Sequence, residues 1–456
     1  MTSLLVRAGH LVPRPGESIA GGWLLAREGM IAEVGSGPAP GGRIDQVLDL
    51  RGCVAVPGLV NAHDHLYQWA TRGHQPEGGL FEWLKELYPI WCGLDAGIVH
   101  AAARAAIGRL LLAGCTLTSD HHYIFPKGAP GVFDALVAAA RDLGIRFHPC
   151  RGSMSLGESA GGLPPDRLVE DEDEILADTE RLVAAHHDPG SGSMCRLAVA
   201  PCSPFSVTPR LMTESAALAR RLGLRLHTHL AETVDEDLFC VDRFGMRPLQ
   251  LLDELGWLGP DVWLAHCVHL EAADMVRLSE SGTGVAHCPS SNMRLGSGAA
   301  PVRELLAAGV TVGLGVDGAA SNEDYDLTGE VHQAMLLARL RAAMLGQDRA
   351  AGALDPATAW RLATGGGAGC LGREDCGTLA AGRCADVALF RLDDLGLAGI
   401  EDPLAAIALA PPARAEAVVV NGRVVVQEGR LLTADEAELG ATLARASGRL
   451  RSLAHA

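Results

Sequence analysis

Short apolar runs alternate with amphipathic segments through most of the chain. Strand-like runs recur at VAVPGLVNAH, CTLTSDHH, GIRFHPCRG, CRLAVAPCS, LRLHTHLAE, VWLAHCVHL, GTGVAHCPSS and TVGLGVDGAAS. Between them lie segments with apolar residues at helical spacing, among them AAARAAIGRLLLAG, VFDALVAAARDLG, LMTESAALARRLG and VRELLAAG. Several end in Ala-Gly or Leu-Gly, the stop a helix takes when a left-handed residue closes it. Eight such units predict buried parallel strands alternating with helices, an α/β fold of the (β/α)8 barrel type.

The two ends of the chain read differently. Short strand patterns separated by Gly and Pro turns fill the first 50 residues, and ADVALFRLD and AEAVVVNGRVVVQEG repeat that texture near the C-terminus. Asn421-Gly422 between two apolar runs is a strong hairpin signal. These ends predict one small β-sandwich domain assembled from residues 1–56 and 376–456, the latter closing with a helix, around a barrel at 57–375.

Composition narrows the classes. At 456 residues the chain is too long for one small core but suits a large barrel with an accessory domain. A net charge of −17 with no basic stripe argues against a nucleic-acid partner. The start, MTSLLVRAGHLVPRPGE, lacks a signal peptide's long apolar region, and no uncharged apolar stretch is long enough to span a bilayer. A cytoplasmic protein without a membrane partner is expected. The 12 cysteines are scattered with no CxxC pair, as small buried thiols in a reducing compartment would be.

Barrel enzymes carry their chemistry at the C-terminal ends of the strands. The first strand ends in His63-Asp64-His65, where alternation points both imidazoles to one side. The fifth ends in LHTHLAE, with His227, His229 and Glu232; the sixth brings His266 and the eighth Asp317. A lone HxH is more often structural than a ligand pair, Asp317 alone could cap a helix, and His266 alone could be a core histidine. Their joint placement at successive strand ends makes metal chemistry the better explanation. Imidazole nitrogens and a carboxylate suit zinc or a similar divalent ion with an open position for water, and His227 is either a ligand or a support. Such an ion lowers the pKa of its water toward about 7. Glu232 is placed to accept that proton, and His266 to steady the hydroxide or the developing charge.

The segments PGLVNAHDH, HTHLAET, LAHCVHL, HCPSSNMRLGSG and GLGVDGAASN, in that order, resemble the amidohydrolase superfamily and its deaminase and chlorohydrolase branch nearly end to end. The resemblance implies one metal, zinc or ferrous iron, held by His63, His65, His229 and Asp317, with His227 behind them. It implies Glu232 as proton shuttle, His266 as partner of the water or substrate, and Asp317 as a sharer in proton transfer. Only two lysines are present, Lys85 and Lys127, and neither ends the third or fourth strand, against a lysine-bridged metal pair.

Within the branch the chain is most similar to 8-oxoguanine deaminases, with isoxanthopterin deaminases and triazine hydrolases nearby. This implies hydrolytic loss of ammonia from a small heterocycle, 8-oxoguanine first, and a homo-oligomer. Family purine deaminases read the base with a glutamine three residues after the second metal histidine, which Gln68 matches; an amide suits a lactam edge. Where guanine deaminases carry an arginine after strand four, this chain has Pro201-Cys202-Ser203, which weakens plain guanine. Weaker pocket candidates are Trp91 and Trp83 as stacking surfaces and Arg151 as a partner for a carbonyl. His121 and His122 could support the site, and Asn292 and Arg294 could shape a loop.

Overall fold

The computed structural model describes residues 3–347, 354–411 and 414–454. Eight parallel strands close a barrel in chain order: β1 (Leu59–Asn61), β2 (Cys115–His122), β3 (Arg146–Ser153), β4 (Ala198–Pro201), β5 (Arg225–Leu230), β6 (Val262–His266), β7 (Gly284–His287) and β8 (Val312–Leu314). β8 returns to β1 through Leu314 opposite Asn61. The fold is the (β/α)8 barrel that the alternating pattern predicts.

Alternation sorts the strand residues. Val60, Leu117, Cys150, Ala198, Ala200, Trp263 and Ala286 fill the barrel interior, while Leu59, Val199, Leu226, Leu264, Val285 and Leu314 join the surrounding helices in the largest core cluster. The small alanines leave room for Trp263, whose indole Nε1–H donates to the Ala62 carbonyl at 3.0 Å. The helices end where glycine allows: Val132–Leu143 and Pro209–Leu222 close on Gly144 and Gly223, at φ 76° and 67°. Thr208 caps the second of these by accepting from the Leu211 N–H.

Both chain ends build one nine-stranded sheet. Its central seam pairs Gln46–Pro57 from the N-terminal side antiparallel to Val387–Arg391 from the C-terminal side. Leu4, Val6, Leu24, Leu48, Val387, Leu389 and Val419 form this sheet's own core. Asn421 and Gly422, both at positive φ, make the expected hairpin turn between Val420 and Arg423. The C-terminal helix, Glu436–Ala454, lies against Ala96–Leu112 and pairs Arg449 with Asp95. All 12 cysteines are free, and among the described residues no helix is long and apolar enough to cross a membrane.

Candidate active site at the C-terminal end of the barrel

The ends of β1 and β8 are tied together by a short parallel ladder, Asp317–Gly318 against Asp64–His65, and by the Asp317 N–H donating to the His63 carbonyl. This places Asp317 beside the two histidines of β1. Ala231, His266, Cys267 and Asp317 all sit at positive φ between 49° and 70°, a region non-glycine residues rarely occupy. Such strain is held where surrounding structure over-determines it, and here it turns three strand ends toward one point.

Asp317 Oδ1 lies 3.4 Å from His63 Nε2 and 3.3 Å from His65 Nε2, and His65 Nε2 is 3.1 Å from His229 Nε2. Tetrahedral bonds of about 2.05 Å to a zinc-sized ion set neighbouring donor atoms about 3.3 Å apart. The spacing therefore fits one divalent ion, and His63 Nε2 is buried without a hydrogen bond.

The ring orientations follow from what backs each ring. His65 Nδ1 donates to the His121 carbonyl at 2.7 Å and His229 Nδ1 to the Cys202 carbonyl at 2.6 Å. A carbonyl can only accept, so the proton sits on Nδ1 and the Nε2 lone pair faces the centre. For His63 the same result comes through a relay. His227 Nδ1 donates to the Trp263 carbonyl at 2.8 Å, so its Nε2 accepts from His63 Nδ1 at 2.7 Å. His227 itself stacks on Trp263 at 4.3 Å. It stands behind His63, outside the set of atoms that meet at the centre.

Electrostatics separate the rings into two kinds. Burial holds His63, His65, His227 and His229 below the ordinary imidazole range, His229 at about 3, which keeps them neutral. Burial acts on His266 too, but the carboxylates of Glu232 and Asp317 outweigh it and lift its pKa. His266 Nε2 lies 3.6 Å from Glu232 Oε2 and 3.9 Å from Asp317 Oδ2, and its Nδ1 pairs with Asn292 Oδ1 at 2.9 Å. Burial raises Glu232, with His266 pulling the other way. Asp317 is buried yet sits well below the carboxylate range, with the His266 imidazole beside it favouring its charge. Ser291 Oγ holds its second oxygen at 2.6 Å.

A cleft opens above this cluster, lined by Gln68, Leu80, Trp83, Leu84, Tyr88, Tyr123, Cys202, Phe205, Leu295 and Ser321 besides His65, His229, Glu232, His266 and Asp317. Gln68 reaches it because residue 318 is glycine: a Cβ there would stand 1.8 Å from Gln68 Oε1. That oxygen is buried without a partner. Asp64, between the two histidines, points away and is held by Asn61, Thr118 and Tyr325.

Two expected cleft residues lie elsewhere. Trp91 is fully buried behind Tyr67, with its Nε1–H on Thr71 Oγ1; Trp83, one face away on the same helix (Leu80–Trp91), lines the cleft instead. Arg151 points out of the barrel, bonded to Glu170 and Asp178 and lying over the Phe125 ring at 3.9 Å. Alternation along β3, with Cys150 inside, accounts for it. The sequence does not single out the supports Ser291 and Ser321, although both lie in the family-like segments HCPSSNMRLGSG and GLGVDGAASN, nor the wall residues Tyr88, Tyr123 and Phe205, since a single hydroxyl or ring has no spacing of its own to mark it. His121 stacks on His229 at 4.6 Å, and Arg294 pairs with Glu323.

Comparison with known proteins points the same way as this geometry. The sequence model of the amidohydrolase family matches residues 54–425. The chain is 48% identical over 423 residues to 8-oxoguanine deaminase of Pseudomonas aeruginosa, covering 92% of this chain and 93% of that one. It is 39% identical to an isoxanthopterin deaminase of an unknown prokaryote, covering 88% and 86% of the two chains. Among solved structures, atrazine chlorohydrolase from Arthrobacter aurescens, complexed with zinc, superposes with a TM-score of 0.93 at 33% identity, covering 97% of this chain and 100% of the other.

Proposed function

The chain belongs to the amidohydrolase family, and from that premise we propose that it is a metal-dependent hydrolytic deaminase converting 8-oxoguanine and water to urate and ammonia. The observation that carries the reading is one cleft holding the convergent donor set, the Glu232–His266 pair and the unpartnered amide oxygen of Gln68. The donor set of His63, His65, His229 and Asp317 suits a single zinc ion. When bound, a divalent ion lowers the pKa of a water molecule toward neutrality and draws electron density from the reacting carbon.

The protein's own groups do the rest. Glu232 takes a proton from the attacking water and delivers it to the ring nitrogen beside the carbon that carries the amine. His266, held by Asn292, donates toward the oxygen that adds to that carbon. Asp317, anchored by Ser291, accepts the remaining proton as the C–N bond breaks and ammonia leaves with it. Gln68 orients the ring, its oxygen accepting a ring N–H and its nitrogen donating to the neighbouring carbonyl. His227 holds His63 in register, and Trp83 offers a flat face to the heterocycle.

A second reading, deamination of a pterin or hydrolysis of a triazine, draws on the isoxanthopterin deaminase and atrazine chlorohydrolase likenesses. Metal analysis with product release over 8-oxoguanine, guanine, isoxanthopterin and substituted triazines separates them. Ammonia from 8-oxoguanine with about one divalent ion per chain is expected. Turnover of isoxanthopterin alone, or release of halide or alkylamine, would replace the substrate and keep the proton-transfer roles.

A further inference from the structure

The polar atoms lining the cleft sort by whether the protein already satisfies them. Trp83 Nε1–H donates to the Ala320 carbonyl at 3.2 Å, and Ser321 Oγ is engaged with Ser291 and Gly318. The Tyr123 ring meets that of Tyr67 edge-on at 6.0 Å, and the Tyr67 hydroxyl, buried without a partner, belongs to a residue behind the cleft wall. Apart from the Gln68 oxygen, the Tyr88 hydroxyl remains: it is buried, the residue lines the cleft, and it has no hydrogen-bond partner. Burying a hydroxyl unpaired is unfavourable, so one kept at the wall of a ligand cleft has a partner to come.

The chemistry of that partner can be narrowed. Burial pushes the Tyr88 phenol well above its ordinary pKa, so it stays neutral and has a proton to donate. Its electrostatic neighbours are the Cys202 thiol and the Tyr67 hydroxyl, both uncharged, and among the described residues no lysine or arginine lines the cleft. At the Tyr88 wall, away from His266 and the metal-binding set, a phosphate or carboxylate would find no guanidinium or ammonium to pair with. Leu80, Leu84, Phe205 and Leu295 supply an apolar surround that suits a flat, uncharged ring.

Resting on the deaminase reading above, we propose that Tyr88 is a specificity-determining residue: its hydroxyl donates to a ring carbonyl oxygen remote from the carbon that loses its amine. The cleft then selects oxo-substituted heterocycles over the same ring without that oxygen. A site built to hydrogen-bond a substrate group discriminates strongly against the analogue that lacks it, whereas a merely apolar wall does not.

The test crosses Tyr88→Phe, which removes one oxygen and keeps the ring, with a substrate pair that differs by one oxygen, 8-oxoguanine and guanine. In the full-length metal-loaded enzyme, Tyr88→Phe lowers kcat/KM for 8-oxoguanine by about 10- to 100-fold, mostly through KM. For guanine it changes kcat/KM less than about threefold. Equilibrium binding of both rings in a Glu232→Gln background gives a readout besides turnover, and there the preference for 8-oxoguanine shrinks on adding Tyr88→Phe. Equal losses on both rings would mean that Tyr88 only shapes the cleft, and no loss on either would mean that it faces no ligand; each overturns the proposal. Failure of the deaminase reading looks different: the parent releases ammonia from neither ring. The binding preference then still decides for or against Tyr88, absence of any preference counting against it.

Discussion

The two ends of the barrel both bury polar groups and treat them in different ways. At the floor, Arg146 Nε and Nη2 bond to Asp386 at 2.9 and 3.0 Å, its Nη1 reaches the Gly192 and Ser193 carbonyls, and Asp386 also accepts the Asn421 N–H. Arg146 and Asp386 are matched, and they join the start of β3 to the terminal sheet. At the rim, His63 Nε2, Gln68 Oε1 and the Tyr88 hydroxyl are equally buried and have no partner. The paired end holds the molecule together. Unpaired atoms occur at the floor as well, on His148 and Arg373, but only at the rim do they stand beside an open cleft and a convergent donor set, and that combination marks function more directly than burial or charge alone.

The contrast breaks most visibly at Glu232. Glu232→Gln removes proton transfer and keeps the shape, so kcat falls by about 10²- to 10⁴-fold while metal content, read by elemental analysis, stays at the parent's value. Turnover near the parent's would remove Glu232 from the reaction. The floor answers with stability in place of rate. Arg146→Met strands a buried Asp386 carboxylate and costs about 3–5 kcal/mol in denaturant melts, with metal content and kcat per folded molecule unchanged. Adding Asp386→Leu recovers part of that loss, because a matched apolar pair replaces an unmatched charge.

Asp120 stands between the two cases, with Oδ1 accepting the Leu66 N–H at 3.0 Å and Oδ2 buried without a partner. Burial pushes its carboxyl up to about 7, so the native chain keeps a proton that the unfolded chain releases near pH 4. The stability this group contributes is full below about pH 4 and is lost as pH rises toward 7. Asp120→Asn keeps the acceptor for Leu66 and cannot ionise. Its stability relative to the parent therefore improves by up to a few kcal/mol between pH 4 and 8, measured by urea melts across that range. A pH-independent difference would place the titration elsewhere. A smaller effect follows at His227, which stands behind His63 and outside the cleft lining: His227→Phe frees the His63 ring and weakens metal affinity by about 10- to 100-fold in chelator competition. Unchanged affinity would show that His63 holds its orientation without the relay.

The barrel is legible in the sequence because parallel strands buried on both faces read as apolar runs, and because glycine stops such as Gly144 and Gly223 mark the intervening helices. The histidines and carboxylates that meet at the rim are legible for a related reason: strand ends are where barrel chemistry collects. What the sequence hides is side-chain direction off the strands. Helical periodicity marks both Trp83 and Trp91 as apolar without saying which faces the cleft. The left-handed backbone at His266 and Asp317 has no residue signature, since neither is glycine. Ser291 lies in a segment that carries the family resemblance, yet nothing there tells its hydroxyl from that of Ser290, and Tyr88 arrives at the site through tertiary packing from a helix whose apolar pattern gives it no distinction.

Arg151 is the mildest case and separates position from proximity. It stands on β3 within three residues of the strand's C-terminal end, the place where a residue invites a substrate role. Yet period-two alternation sends Cys150 inward and Arg151 outward, onto two carboxylates and the Phe125 ring. Its charge is thus already spent on Glu170 and Asp178, whose side chains are 17% and 30% exposed, so solvent screens part of the attraction. Arg151→Met keeps the stem that packs on Phe125 and removes only the ion pairs. KM for the deaminated ring stays within about twofold of the parent, and stability falls by about 1–2 kcal/mol. A KM raised tenfold with stability intact would reverse the assignment and place the guanidinium in the cleft during turnover.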